Sequence, residues 1–188
     1  FGTSVVFESA TTNYTKLTYD PIANKVVIIY SDGGNSSYGT AVVGTVSGTS
    51  ISFGSPVVFE TGSTSQIAST FDSDNNKVVI AYKDAGNSNY GTAVVGTVSG
   101  TSISFGSPAV FLTANTTSIS IVYDTAANKI VIVYQDANNS SYGTAIVGTV
   151  SGTSISFGTS IVFEAASSSN MSATFDSTAN KVVIAYKD

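Results

Sequence analysis

Aspartates recur at Asp32, Asp84, Asp136 and Asp188, each 52 residues after the last. Three of them open a short polar loop built from the same residue types: Asp32, Asn35 and Tyr38; Asp84, Asn87 and Tyr90; Asp136, Asn139 and Tyr142. A carboxylate and an amide beside an aromatic ring are a set that can hold a sugar, the polar groups fixing orientation and the ring offering an apolar face. Repeated at a fixed period, such a set would bind multivalently. The same residues also make an Asx turn, with Asp and Asn satisfying the loop's own backbone and Tyr packing between units.

A second candidate surface comes from divergence. Glu8–Thr18 aligns with Glu60–Thr70, Leu112–Val122 and Glu164–Thr174, and here the chain varies most. Tyr14, Gln66, Ser118 and Asn170 share one register; Lys16, Ala68, Ser120 and Ser172 share another. Constant framework around one variable loop is how a scaffold carries an asymmetric binding surface, and Tyr14 and Gln66 join the candidate ligand contacts on that ground. Drift in a tolerant loop produces the same pattern. Asp72-Ser73-Asp74-Asn75-Asn76 begins like a calcium loop, with oxygen ligands at alternate positions. No glycine and bidentate glutamate follow, so it is read as a hairpin turn and no metal is assigned.

The residues that are missing exclude whole classes of chemistry. The chain contains no histidine, cysteine, tryptophan or arginine. Imidazole general-base catalysis, thiolate nucleophiles and His/Cys metal sites are therefore out of reach. Carboxylate pairs remain, but the aspartates repeat at turn positions, and the expectation is a chain with no catalytic residue and no cofactor. Seven scattered lysines against twelve acidic residues form no basic face, so no nucleic-acid partner is expected. The longest apolar runs, such as Val26–Tyr30, are far too short to span a bilayer, and no membrane insertion is expected.

These residues are positioned by a repeat. Phe-Gly pairs at Phe1-Gly2, Phe53-Gly54, Phe105-Gly106 and Phe157-Gly158 set a period of 52 with no insertion or deletion. One continuous array, residues 1–188, thus divides into units 1–52, 53–104, 105–156 and an incomplete 157–188. Each unit predicts four short strands. Strand A alternates small polar with apolar residues over Lys16–Asp20 or Ile67–Asp72, after a polar loop. Strand B, Lys25–Tyr30, is a β-branched run that suits burial on both faces. Strand C covers Tyr38–Val46, and strand D, after the hairpin signal Ser47-Gly48-Thr49, covers Ile51–Phe59 with Pro56 on an outer edge. No stretch carries a helical period.

Four antiparallel strands per unit with a doubly buried middle strand predict an all-β chain, a β-propeller built from tandem 52-residue four-stranded antiparallel blades. The alternative is an open β-solenoid or stacked array. The order Ile67–Asp72, Lys77–Asp84, Tyr90–Val98, hairpin, Ile103–Phe111 resembles a blade of the sialidase-like propellers, which carry the bacterial neuraminidase repeat. It is also similar to repeats in tail-fibre and surface proteins of marine phages and bacteria. The hairpin here reads Val98-Ser99-Gly100-Thr101-Ser102, without the Asp and Trp of that repeat. A sialidase would clamp its substrate carboxylate with arginines, and this chain has none.

The resemblance implies an extracellular or virion-surface binding module for glycan or a cell-surface polymer. A structural spacer in a fibre or surface protein, or a truncated or engineered repeat array, is the alternative. Other copies of itself or a longer parent chain are further expected partners. Because Phe1–Phe7 supplies only part of a D strand and Lys181–Asp188 ends at strand B, the array is expected to continue past Asp188 in the same register.

Overall fold

A β-branched run must find strand partners on both sides, and Lys25–Asp32 does so. In the computed structural model, which describes residues 2–188, it forms β2, antiparallel to β1 (Thr12–Asp20) and to β3 (Tyr38–Ser47). The short β4 (Ser50–Phe53) folds back on the far half of β3. The second unit repeats this plan with β5 (Val57–Asp72), β6 (Lys77–Asp84), β7 (Tyr90–Ser99) and β8 (Ser102–Phe105). The third has β9 (Ala109–Asp124), β10 (Lys129–Asp136), β11 (Tyr142–Ser151) and β12 (Ser154–Phe157). The chain ends with β13 (Ile161–Ser167), β14 (Ser169–Asp176) and β15 (Lys181–Lys187). Among the described residues it is all-β apart from one 3-10 turn at Ala85–Asn87.

The β-propeller expectation does not hold. Separate four-stranded blades would give several sheets; instead β1 to β13 join in one open antiparallel sheet of thirteen strands that does not close on itself. Only β14 and β15 stand apart, as a two-stranded sheet. The reason is the connection between units. The expected strand D is broken at Gly54-Ser55-Pro56, so Pro56 lies in the break and not within an edge strand. Its first half is β4, and its second half opens β5, which runs sixteen residues into the next unit where a polar loop was expected. The start of β5 pairs with β3 (Ala41 opposite Val57, Gly39 opposite Glu60), and the rest pairs with β6, from Thr64 opposite Asp84 to Asp72 opposite Lys77. Strand β9 links the second and third units in the same way. Neighbouring units therefore share a strand.

Each shared strand bends at a bulge. The β5–β6 register slips between Ser65 and Ala68, and between them Gln66 sits at φ +52°. Tyr14, Ser118 and Asn170 occupy the same register at φ 53°, 52° and 51°. Left-handed backbone costs a non-glycine residue roughly 1 kcal/mol or more, so four occurrences at one register mark a built feature. Across the bend, successive units lie face to face. Val27 and Ile29 of β2 pack against Val78, Ile80 and Tyr82 of β6. Val79 and Ala81, on the opposite face of β6, pack against Ile130, Ile132 and Tyr134 of β10. Strand β6 is thus buried on both faces, as its continuous apolar run predicts.

The A strands of successive units meet one another through small side chains. The Thr18 hydroxyl donates to Ser69 Oγ at 2.6 Å, and Ala173 N donates to Ser120 Oγ at 3.0 Å. Gly54 lies against the following hairpin so closely that a Cβ would stand 1.8 Å from the Thr101 carbonyl oxygen; Gly106 meets Thr153 identically. Of the D-strand segment expected over Phe1–Phe7, Phe1 lies outside the described residues. Residues 2–8 carry no strand, whereas Val57–Glu60, the counterparts of Val5–Glu8, pair with β3. Phe7 still packs edge-on against Tyr30 with ring centres 5.3 Å apart.

Candidate functional site

Two conserved geometric facts set the B–C loops: an aspartate that ends a strand, and two consecutive left-handed residues that return the chain. Asp32, Asp84 and Asp136 terminate β2, β6 and β10. Ser36 and Ser37, Ser88 and Asn89, and Ser140 and Ser141 supply the positive φ pairs. Each aspartate folds back over its own loop. Asp32 Oδ1 accepts from Gly34 N at 2.9 Å, Asp84 Oδ1 from Asn87 N at 3.1 Å, and Asp136 Oδ1 from Asn138 N at 3.0 Å. Backbone bonds complete the turn: Tyr38 N donates to Asn35 O, and Tyr142 N to Asn139 O, both at 2.9 Å. Asp32 and Asp84 are buried by this arrangement, whereas Asn35, Asn87 and Asn139 are exposed. Tyr38, Tyr90 and Tyr142 begin β3, β7 and β11 and are half-buried. Within each sequence-predicted trio, then, the aspartate is spent on the loop, and the asparagine and part of the tyrosine face outward.

The bulge residues lie on the same edge. Thr64 pairs directly with Asp84, two positions before Gln66, so the bulge of the shared strand sits at the end of the sheet where the B–C loop emerges. Gln66 is engaged structurally: its Oε1 accepts from Ser118 N at 3.0 Å, in the next unit. Ser118 Oγ accepts in turn from Asn170 N at 3.3 Å. The bulge side chains thereby tie unit to unit, a role that register alone did not reveal. Tyr14 holds the same register in the first unit and is half exposed.

In the A–B turns the aspartates are likewise bound by their own backbone. Asp72 Oδ1 accepts from Asp74 N and Asn75 N at 3.1 and 3.0 Å, and its Oδ2 accepts from Asn75 Nδ2 at 2.9 Å. Asp20, Asp124 and Asp176 bind their own turns through the same backbone positions. Among the described residues no group of three or more acidic side chains is poised around a common point that could hold a metal ion.

Sequence reasoning missed one set of partners. Tyr82, fully buried, donates its hydroxyl to Glu60 Oε2 at 3.0 Å, while Glu60 Oε1 accepts from Gly62 N at 2.9 Å. Tyr30 with Glu8, at 3.4 Å, and Tyr186 with Glu164, at 2.8 Å, repeat the pair. In the third unit Leu112 stands where glutamate stands elsewhere, and the buried Tyr134 hydroxyl forms no hydrogen bond of good geometry. The signal was available as the shared register of Glu8, Glu60 and Glu164, from which Leu112 departs.

Glu60 also faces Asp84. Burial, and next the Glu60 charge, hold the Asp84 carboxyl above its ordinary value of 3.8. The folded state therefore keeps a proton on Asp84 to higher pH than the unfolded chain does. Stability contributed by this group is present in full at acid pH and is lost as pH rises through the folded pKa. Melting temperature is accordingly expected to rise as pH falls from neutrality towards the carboxylate range, and the rise should be smaller in Asp84→Asn. Thermal unfolding by circular dichroism at several pH values measures this; an identical pH slope in the variant would remove Asp84 as its source.

No family model matches this chain, and no curated protein matches it. What the site can do is read from its own geometry. Among the described residues there is no enclosed cavity. The candidate surface is an open edge on which exposed amides recur once per unit, beside a half-buried phenol.

Proposed function

We propose that this chain is a non-enzymatic binding module that engages glycan or another cell-surface polymer along its loop edge, outside a cell or on a virion. The observation that carries the reading is the recurrence of exposed Asn35, Asn87 and Asn139 at one register on that edge. An open periodic row suits an extended repeating polymer, whereas a small molecule needs a concave site that buries most of its surface. Weak contacts at each unit would add through effective concentration. Histidine and cysteine are absent from the sequence, which supports binding over imidazole- or thiolate-based turnover.

Binding to a glycan array and to immobilised polysaccharides tests the proposal. Asn87→Ala alone should weaken binding several-fold, and the triple variant Asn35→Ala, Asn87→Ala, Asn139→Ala by roughly 100-fold or more, because avidity is lost with valency. A triple variant that binds as well as the native chain would refute the loop edge as the site. A second reading, a structural spacer of a fibre or surface protein, is favoured by the loop aspartates, whose carboxylates are bound by their own backbone. A folded chain silent on every surface tested would support the spacer.

A further inference from the structure

The joint between the second and third units sets a face of small side chains against a face of large ones. The second unit presents small residues, Ala68, Val79 and Ala81; the third answers with large ones, Ile121, Tyr123 and Ile132. At this joint Val79 is 0 % exposed, Ile121 8 % and Tyr123 6 %. The two outermost faces of the chain carry the same two surfaces. The fourth unit ends in Ser172, Val183 and Ala185, in the registers of Ala68, Val79 and Ala81. The first unit begins with Leu17, Tyr19 and Ile28, in the registers of Ile121, Tyr123 and Ile132. Here Val183 is 51 % exposed, Leu17 65 % and Tyr19 55 %, while Ile28 is 6 % exposed, within the cluster that Phe7 covers.

We infer that the chain associates head to tail with a second copy of itself, the small-residue face of the fourth unit seating the large-residue face of the partner's first unit. The joint so formed reproduces the internal one, small against large at each register. The two faces differ from each other, so the contact is heterologous and each added copy exposes a fresh acceptor; association is open-ended.

Sedimentation velocity over a range of concentrations tests this. The native chain should give weight-average mass that climbs with concentration beyond the dimer. Leu17→Lys blocks one face and Val183→Lys the other, both at exposed positions, and each variant alone should remain a monomer at every concentration. Mixed in equal amounts they should form a one-to-one dimer and nothing larger, since one free face of each kind remains. Tyr19→Lys, mixed with Val183→Lys, repeats the test at an independent position should Leu17→Lys fail to show the native circular dichroism spectrum. A native chain that stays monomeric overturns the inference, as do single variants that still associate or a mixture that does not.

Discussion

Gly54→Ala and Gly106→Ala should each destabilise the array by about 3 kcal/mol, the upper part of the range for overpacking, while Gly158→Ala should leave it nearly unchanged. The three glycines occupy one register of the repeat. At Gly54 and Gly106 a methyl group would stand 1.8 Å from a backbone carbonyl oxygen of the next unit's hairpin, a separation that no rotamer relieves. The hairpin would have to withdraw, opening the joint that buries the phenylalanines and isoleucines behind it. Gly158 has no such neighbour, its nearest contact being the Val147 carbonyl oxygen at 3.8 Å. Alanine there also restricts the unfolded chain, worth a few tenths of a kcal/mol in the stabilising direction. Urea unfolding midpoints read the difference. Equal losses at all three glycines would mean that chain conformation, not the approach of the next unit, selects glycine.

The second expected result concerns the buried tyrosines. Tyr82→Phe should cost about 1.5 kcal/mol, the net worth of a hydrogen bond to a charged group, whereas Tyr134→Phe should be neutral or slightly stabilising. Both phenols are fully buried. Removing the Tyr82 hydroxyl deprives Glu60 of a donor; removing that of Tyr134 relieves a buried polar atom with no good partner. Burial pushes the Tyr134 phenol up to about 12. Placing the missing acceptor should transfer the effect: in a Leu112→Glu background, Tyr134→Phe becomes costly, and a double-mutant cycle reports the coupling. If the two phenylalanine variants lose stability equally in the native background, ring packing alone accounts for both.

These contrasts show which parts of the molecule were legible in the sequence. Strand B and the hairpin turns were, because β-branched runs and Asp, Asn and Gly at turn positions are local signals that burial reinforces. The joining of the units into one sheet was not. Thr61 to Ser65 has the polar composition of a loop, yet it continues β5 because β3, opposite Glu60 and Ser63, and then β6, opposite Thr64 and Ser65, supply backbone partners. Gln66 carries no glycine or asparagine signal for left-handed backbone; it is held there by the shift in register and by its bond to the following unit. At the candidate site the trio Asp84, Asn87 and Tyr90 was found by period, but the division of labour within it depends on which carboxylate folds over its loop. Composition does not encode that.

The shared strand has a consequence for how the protein is made. As the chain leaves the ribosome, the first unit cannot finish its sheet when residue 52 appears, because the outer partner of β3 is supplied by Val57–Glu60. The remainder of that same strand stays idle until β6 has followed it. Every stretch of the nascent chain thus waits, with one edge bare, for residues not yet translated. Maturation advances as a zipper from the amino terminus, without the pauses between finished parts that beads on a string would allow.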